Sequence, residues 1–170
     1  MSAATSWFLV RHAVAADRGD EWPDDAERPV THAGAARMRR VVNGLRAMGV
    51  KVDVVATSPL VRAVETADVL VAGLKPVPAI QVLPVLAPGG TPAKVVDALA
   101  AIEAERGLAI VGHEPGLGEL AAWLIGARTP LRFKKGGVCR IDLTGPATGR
   151  AGQLVWMATP KMLRAVGRAT

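Results

Sequence analysis

The chain has 170 residues, half of them hydrophobic and 21% charged, with a net charge of +6 and a sequence pI near 10.2. That is enough chain to bury one core without staples, too apolar for disorder, and its lone cysteine, Cys139, excludes an internal disulfide. Three histidines and one cysteine at these spacings make no metal set, and no apolar stretch approaches bilayer length.

The first residues lack the charge order, long apolar run and cleavage site of a signal peptide, so a cytoplasmic protein of one domain, residues 1–170, is expected. The basic balance favours an acidic ligand without naming it. Nucleic acid is not expected, since there is no tyrosine, only two phenylalanines and no binding motif.

Ser6-Trp7-Phe8-Leu9-Val10 reads as a short buried strand, and it runs out at Arg11-His12. A long acidic, proline-bearing loop follows, from Asp17 to Pro29. Thr31 then caps a helix whose apolar stripe is Met38, Val41, Val42, Leu45 and Met48, closed by Gly49. Asp53 to Ala56 is a second strand; Ser58 is expected to cap the next helix, with Pro59 at its first position and Leu60, Val64, Ala67 and Val71 inward.

A short strand around Ile80–Leu83 leads through a Pro/Gly loop to a helix begun by Thr91-Pro92, with Val95, Leu99 and Ile102 inward. Leu108 to Val111 is the clearest buried strand, and Gly112-His113-Glu114-Pro115 leads into a helix bearing Leu117, Leu120, Leu124 and Ile125. Two antiparallel strands, 137–143 and 153–157, and a terminal helix capped by Thr159-Pro160 complete the chain. The pattern predicts a three-layer α/β/α sandwich over a mostly parallel sheet with antiparallel C-terminal strands.

Three strands run out into polar, phosphate-friendly groups, namely Arg11-His12, Thr57-Ser58-Pro59 with Arg62 close behind, and Gly112-His113. A parallel sheet brings such ends to one edge, where ligands bind in open α/β folds. Arginine offers paired donors to phosphate oxygens, and phosphoryl transfer needs chiefly positioning and charge stabilisation. A neutral histidine can attack phosphorus if its other ring nitrogen holds the proton, for which a nearby backbone carbonyl would serve.

Taken singly, each piece has an ordinary explanation: a surface Arg-His pair, a capped helix start, a turn histidine. Trp7, Trp22, Trp123 and Trp156 read as packing residues, His32 as helix surface, and Lys134 and Lys135 as solvated charges facing, at most, an acidic protein partner.

In this order and spacing, Arg11-His12, Ser58-Pro59-Leu60-Val61-Arg62-Ala63 with Glu65-Thr66, and Gly112-His113 resemble the histidine phosphatase (phosphoglycerate mutase-like) superfamily. Chain length, Arg28-Pro29-Val30-Thr31 and Phe133-Lys134-Lys135-Gly136-Gly137 narrow the likeness to small SixA-type phosphohistidine phosphatases. The resemblance implies a phosphoglycerate mutase-like fold with His12 as nucleophile. Arg11 and Arg62 would clamp the phosphoryl oxygens, His113 would stabilise their charge, and Arg28 would add a phosphate contact. No cofactor or metal is implied.

Two departures stand out. Ala13 replaces the glycine that usually follows the nucleophile, a change that a backbone of positive φ would resist. The stretch Leu83 to Gly90 lacks the glutamate that serves many relatives as proton donor, which leaves Asp17, Asp20, Glu21, Asp25 or Glu114 as substitutes, or none. A missing acid handicaps alkyl phosphoesters most, because an alkoxide leaves badly unless protonated. The expected partner is therefore a phosphohistidine-bearing protein, with small phosphomonoesters, or a phospho-ligand module without catalysis, as alternatives.

Overall fold

Strands and helices alternate along the chain in the computed structural model, which describes residues 5–150 and 152–169. Strand β1 (Thr5–Arg11) leads to α1 (His32–Ala47), β2 (Val54–Thr57), α2 (Val61–Gly73), β3 (Ala79–Val82) and α3 (Pro92–Leu99). Then follow β4 (Leu108–Gly112), α4 (Gly116–Ile125), β5 (Val138–Leu143), β6 (Gly152–Ala158) and α5 (Pro160–Val166). The sheet order is β3-β2-β4-β1-β5-β6, with the first four strands parallel and β5 and β6 antiparallel.

Alternation along the central strands sorts the core into two layers. Trp7 and Leu9 of β1 join Leu108 and Ile110 of β4 under α3 and α4. Phe8 and Val10 join Ala109 and Val111 under α1, α2 and α5. Both faces of these strands are covered, so they read as continuous apolar runs. Each fully buried leucine, such as Leu9, Leu45 or Leu124, contributes about 1.5–3 kcal/mol.

The terminal helix docks where α1 is thinnest. Gly44 faces the Leu163 carbonyl, and Gly167 lies against the backbone of Asn43 and Gly44, so a side chain at either glycine would collide with main chain. Thr31 caps α1 as expected, its Oγ1 accepting from the Gly34 N–H at 2.9 Å. Gly49, at φ +74°, turns the chain out of it. Met48 lies just past the helix end and is 40% exposed, outside the buried stripe.

The second helix departs most from expectation. Ser58 and Pro59 stay outside it: α2 begins at Val61, and Leu60 is the N-cap residue without a side-chain cap. Its buried face carries Arg62, Ala63, Thr66, Ala67 and Leu70, whereas Leu60, Val64 and Val71 are half-buried. Arg62 and Thr66 take inward positions that hydrophobic periodicity alone assigns to Val64 and Val71. Ile102 lies beyond the end of α3 and packs from the following turn, and Ile125 is half-buried.

Candidate active site

The ladder register brings three strand ends level. Arg11 pairs with Gly112 and Thr57 with Val111. The bonding continues one residue further: the His12 N–H reaches the Gly112 carbonyl and the Ser58 N–H the Val111 carbonyl, both at 3.1 Å. His12, Ser58 and His113 therefore stand side by side at the carboxyl edge of the sheet, and the rings of His12 and His113 lie 5.1 Å apart. All three are buried, as is Arg62.

His12 Nδ1 lies 2.7 Å from the Ala13 carbonyl oxygen. A carbonyl only accepts, so Nδ1 carries the proton and Nε2 keeps its lone pair. Burial, reinforced by the charges of Arg62, Arg11 and Lys135 against the opposing Ala13 bond, lowers the His12 pKa to about 4. The ring is thus neutral at physiological pH.

The Ala13 peptide is held in turn. Its N–H donates to Thr66 Oγ1 at 2.9 Å, and that fully buried hydroxyl donates to the Arg62 carbonyl at 2.6 Å. Among the described residues Arg150 is the only non-glycine at positive φ, so Ala13 occupies its place without left-handed strain.

Each arginine is anchored from one side. Arg11 Nη1 donates to the Phe133 carbonyl at 2.7 Å. Arg62 Nη1 donates to the Asp25 carbonyl at 2.6 Å, and Nη2 to its carboxylate at 2.9 Å. In both, Nε is buried without a hydrogen-bond partner, as is His113 Nδ1.

His113 Nε2 lies 2.7 Å from Ser58 Oγ, which already accepts the Leu60 N–H at 3.3 Å. A hydroxyl has a second lone pair as well as a proton, so this bond forms with either tautomer of neutral His113 and fixes the orientation of its ring. Burial, with the charges of His12, Arg62 and Arg11, pushes the His113 pKa to about 3. The unpaired Nε–H groups of the two arginines and the unpaired Nδ1 of His113 accompany one neutral ring nitrogen, a setting that suits a tetrahedral oxyanion.

The chain matches the histidine phosphatase superfamily (branch 1) over residues 7–87. It is 36% identical over 164 residues to an uncharacterized protein of Picosynechococcus sp., covering 92% of this chain and 97% of that one. It belongs to this superfamily. Phosphohistidine phosphatase SixA of Escherichia coli is 29% identical, with 94% and 98% covered. The solved structure of the protein histidine phosphatase SixA complexed with tungstate superposes with a TM-score of 0.81 at 26% identity, covering 92% and 98%. The phosphoglycerate mutase-like fold expected from the sequence is thus the observed one.

Against the superfamily pattern, the other candidates separate. Arg28 is buried, but its Nε donates to Asp25 at 2.8 Å and its Nη1 to the Ala16 carbonyl at 2.7 Å, so it braces the long loop. Asp25 also meets Arg18 at 3.0 Å. Its partial burial would raise its pKa, but hydrogen bonds and charge from Arg28 and Arg62 hold it below the usual carboxylate value, which suits an anchor better than a proton donor. Asp17, Asp20 and Glu21 are exposed on the loop.

Glu114 is committed as well. Its Oε1 accepts the Phe133 N–H at 2.7 Å and its Oε2 the Gly118 N–H at 3.2 Å, steadying the turn whose carbonyl holds Arg11. Glu65 accepts the Val30 N–H at 2.6 Å and ties the loop to α2. Residues 85–92, where the superfamily glutamate is missing, border a cleft of about 290 Å³ with His113 and the start of α4. Cys139 is buried and inert, its thiol pushed up to about 12 by desolvation.

Sequence reasoning missed Ser58, Thr66 and Asp25 as partners of the catalytic candidates. For Thr66 a signal existed: it lies four residues after Arg62, one helical turn along the same face.

Proposed function

We propose that this chain is a metal-independent phosphatase that works through a phosphorylated His12 and acts on phosphohistidine proteins. The carrying observation is the His12 Nδ1 bond to the Ala13 carbonyl, which leaves Nε2 as a neutral nucleophile beside the unpaired Nε of Arg11 and Arg62 and Nδ1 of His113.

Nε2 attacks phosphorus in line, the bond from phosphorus to the leaving group breaks, and the leaving group takes the electron pair. The two arginines and His113 hold the three equatorial oxygens, where charge accumulates. Water then attacks the phosphorus of phospho-His12, the P–N bond breaks, and Nε2 regains its pair while phosphate leaves. The positive charge of Arg11 and Arg62 performs the neutralisation for which other phosphatases use metal ions.

Substrate class follows from the leaving group. Asp25 and Glu114 are bound to arginines and to backbone N–H groups, so neither is a ready proton source for an alkoxide. Imidazole leaves far more easily once its ring is protonated, which favours a phosphoramidate. Likeness to a protein named phosphohistidine phosphatase supports the same reading.

The test is phosphate release from a phosphohistidine protein and from p-nitrophenyl phosphate, with chelator present, for wild type and His12→Ala. Turnover of both that is lost in the variant, and is faster on the phosphoramidate, is the expected result. Retained turnover in the variant, or dependence on added metal, would refute the mechanism. Preference for simple alkyl phosphates would refute the substrate class. Tight phosphate binding with no turnover would make the chain a binding module.

A further inference from the structure

No aspartate or glutamate occurs between Thr31 and Val52, nor anywhere after Asp142. These stretches contain α1 and α5, which the fold packs side by side through Gly44 and Leu163. Arg37 of α1, Arg164 of α5 and Lys135 of the turn before β5 line one hollow of about 80 Å³. Among the described residues, none of the three forms a salt bridge. Three like charges around one hollow repel one another, and among the described residues no carboxylate lies within salt-bridge distance of them.

The hollow backs directly onto the nucleophile segment. Ala13, whose carbonyl holds His12, is one wall, and Gly136 is another. The Gly136 N–H bonds the carbonyls of Arg11 and His12, at 3.1 Å each. A protein that presents its phosphoryl group to His12 brings its own surface to the rim of the site, and Lys135, which lines the hollow and whose charge reaches His12, ties the two together. Carboxylates on it would meet unpaired cations and speed encounter. Bases would find no aromatic ring in the lining of the hollow to stack on.

We propose that Arg37, Lys135 and Arg164 form a docking surface for the acidic face of the phosphorylated protein substrate. This rests on the phosphoprotein reading above and adds the charge of the partner surface.

The test measures binding, so it stands apart from turnover. Two fluorescent peptides carry a non-hydrolysable triazole phosphonate analogue of phosphohistidine, one flanked by glutamates and the other by lysines. Anisotropy with the wild-type protein should give about ten-fold or greater preference for the acidic peptide at low salt, shrinking as salt screens the charges. In the double variant Arg37→Glu, Arg164→Glu that preference should vanish or invert, while turnover of p-nitrophenyl phosphate stays unchanged. Lys135 is left alone because its charge reaches His12.

Equal affinity for the two peptides, no binding of either, or a preference that survives the double variant overturns the proposal. So does displacement of the acidic peptide by a duplex oligonucleotide of higher affinity, which would make the face a nucleic-acid surface. Failure of the phosphoprotein reading appears separately, as a phosphohistidine protein left intact by an enzyme that hydrolyses p-nitrophenyl phosphate.

Discussion

Replacing Thr66 with valine removes one oxygen and almost no volume, yet it strikes the link between α2 and the nucleophile. Thr66 Oγ1 accepts the Ala13 N–H and donates to the Arg62 carbonyl, and the side chain is fully buried. Valine leaves the Ala13 N–H buried without a partner, at a cost of about 1–3 kcal/mol. Urea denaturation should show a lower midpoint with an unchanged slope.

Activity should suffer separately, because the Ala13 peptide that loses its anchor also carries the carbonyl holding the His12 proton on Nδ1. A loosening worth about 1.4 kcal/mol in the transition state lowers kcat about ten-fold. Histidine nitrogen shifts in NMR should report His12 as a mixture of tautomers, where the wild type shows Nδ1–H alone. Thr66→Ser restores the hydroxyl and should recover tautomer and kcat together. A valine variant that is less stable but keeps wild-type kcat and a pure Nδ1–H tautomer would refute the reasoning.

Acid should unfold this protein early. His12 and His113 have folded pKa values of about 4 and about 3, below the ordinary 6.5, so the unfolded chain binds their protons first. Their contribution is complete above about pH 6.5 and is lost as pH falls toward 4 and then 3. Between those limits urea titrations should show stability falling by up to about 2–3 kcal/mol per pH unit, and a flat profile would contradict it. Glu114→Gln supplies one acceptor where two N–H groups need one each, and should cost about 1–3 kcal/mol in denaturation. The ratio of rates on phosphohistidine and alkyl phosphates should not change; a selective collapse on alkyl phosphates would make Glu114 the proton donor. Gly44→Ala drives a methyl group into the Leu163 carbonyl and should lower stability by about 1–3 kcal/mol, with loosened α5 amides in hydrogen exchange.

Periodicity makes the sheet and most helices legible, because β1 and β4 are apolar on both faces and α1 carries an unbroken stripe behind a Thr31 cap. Convergence of Arg11, His12, Arg62 and His113 follows from strand ends in a parallel sheet. Ser58 misleads because serine before proline is the usual signature of a capped helix. Here the chain bends through Pro59 and Leu60 before the helix starts at Val61, and the hydroxyl turns to a histidine 55 positions away. The rotation of α2 is equally hidden: Arg62 and Thr66 are inward only because the loop and the Ala13 peptide supply partners, and those meetings are long-range. Arg28 follows the same logic, since the acceptors that engage it lie in its own loop rather than at the sheet edge.

His12, Arg11 and Arg62 are each seated against a main-chain oxygen, at Ala13, Phe133 and Asp25. A carbonyl is present whatever residue carries it. The sockets that aim these groups are therefore indifferent to the identity of the residue that provides them, so long as its backbone keeps its path. The Ala13 and Phe133 side chains lie in the two layers of the core, so packing constrains them while their carbonyls do the aiming. Any residue that the core can seat at these two positions leaves the chemistry in place.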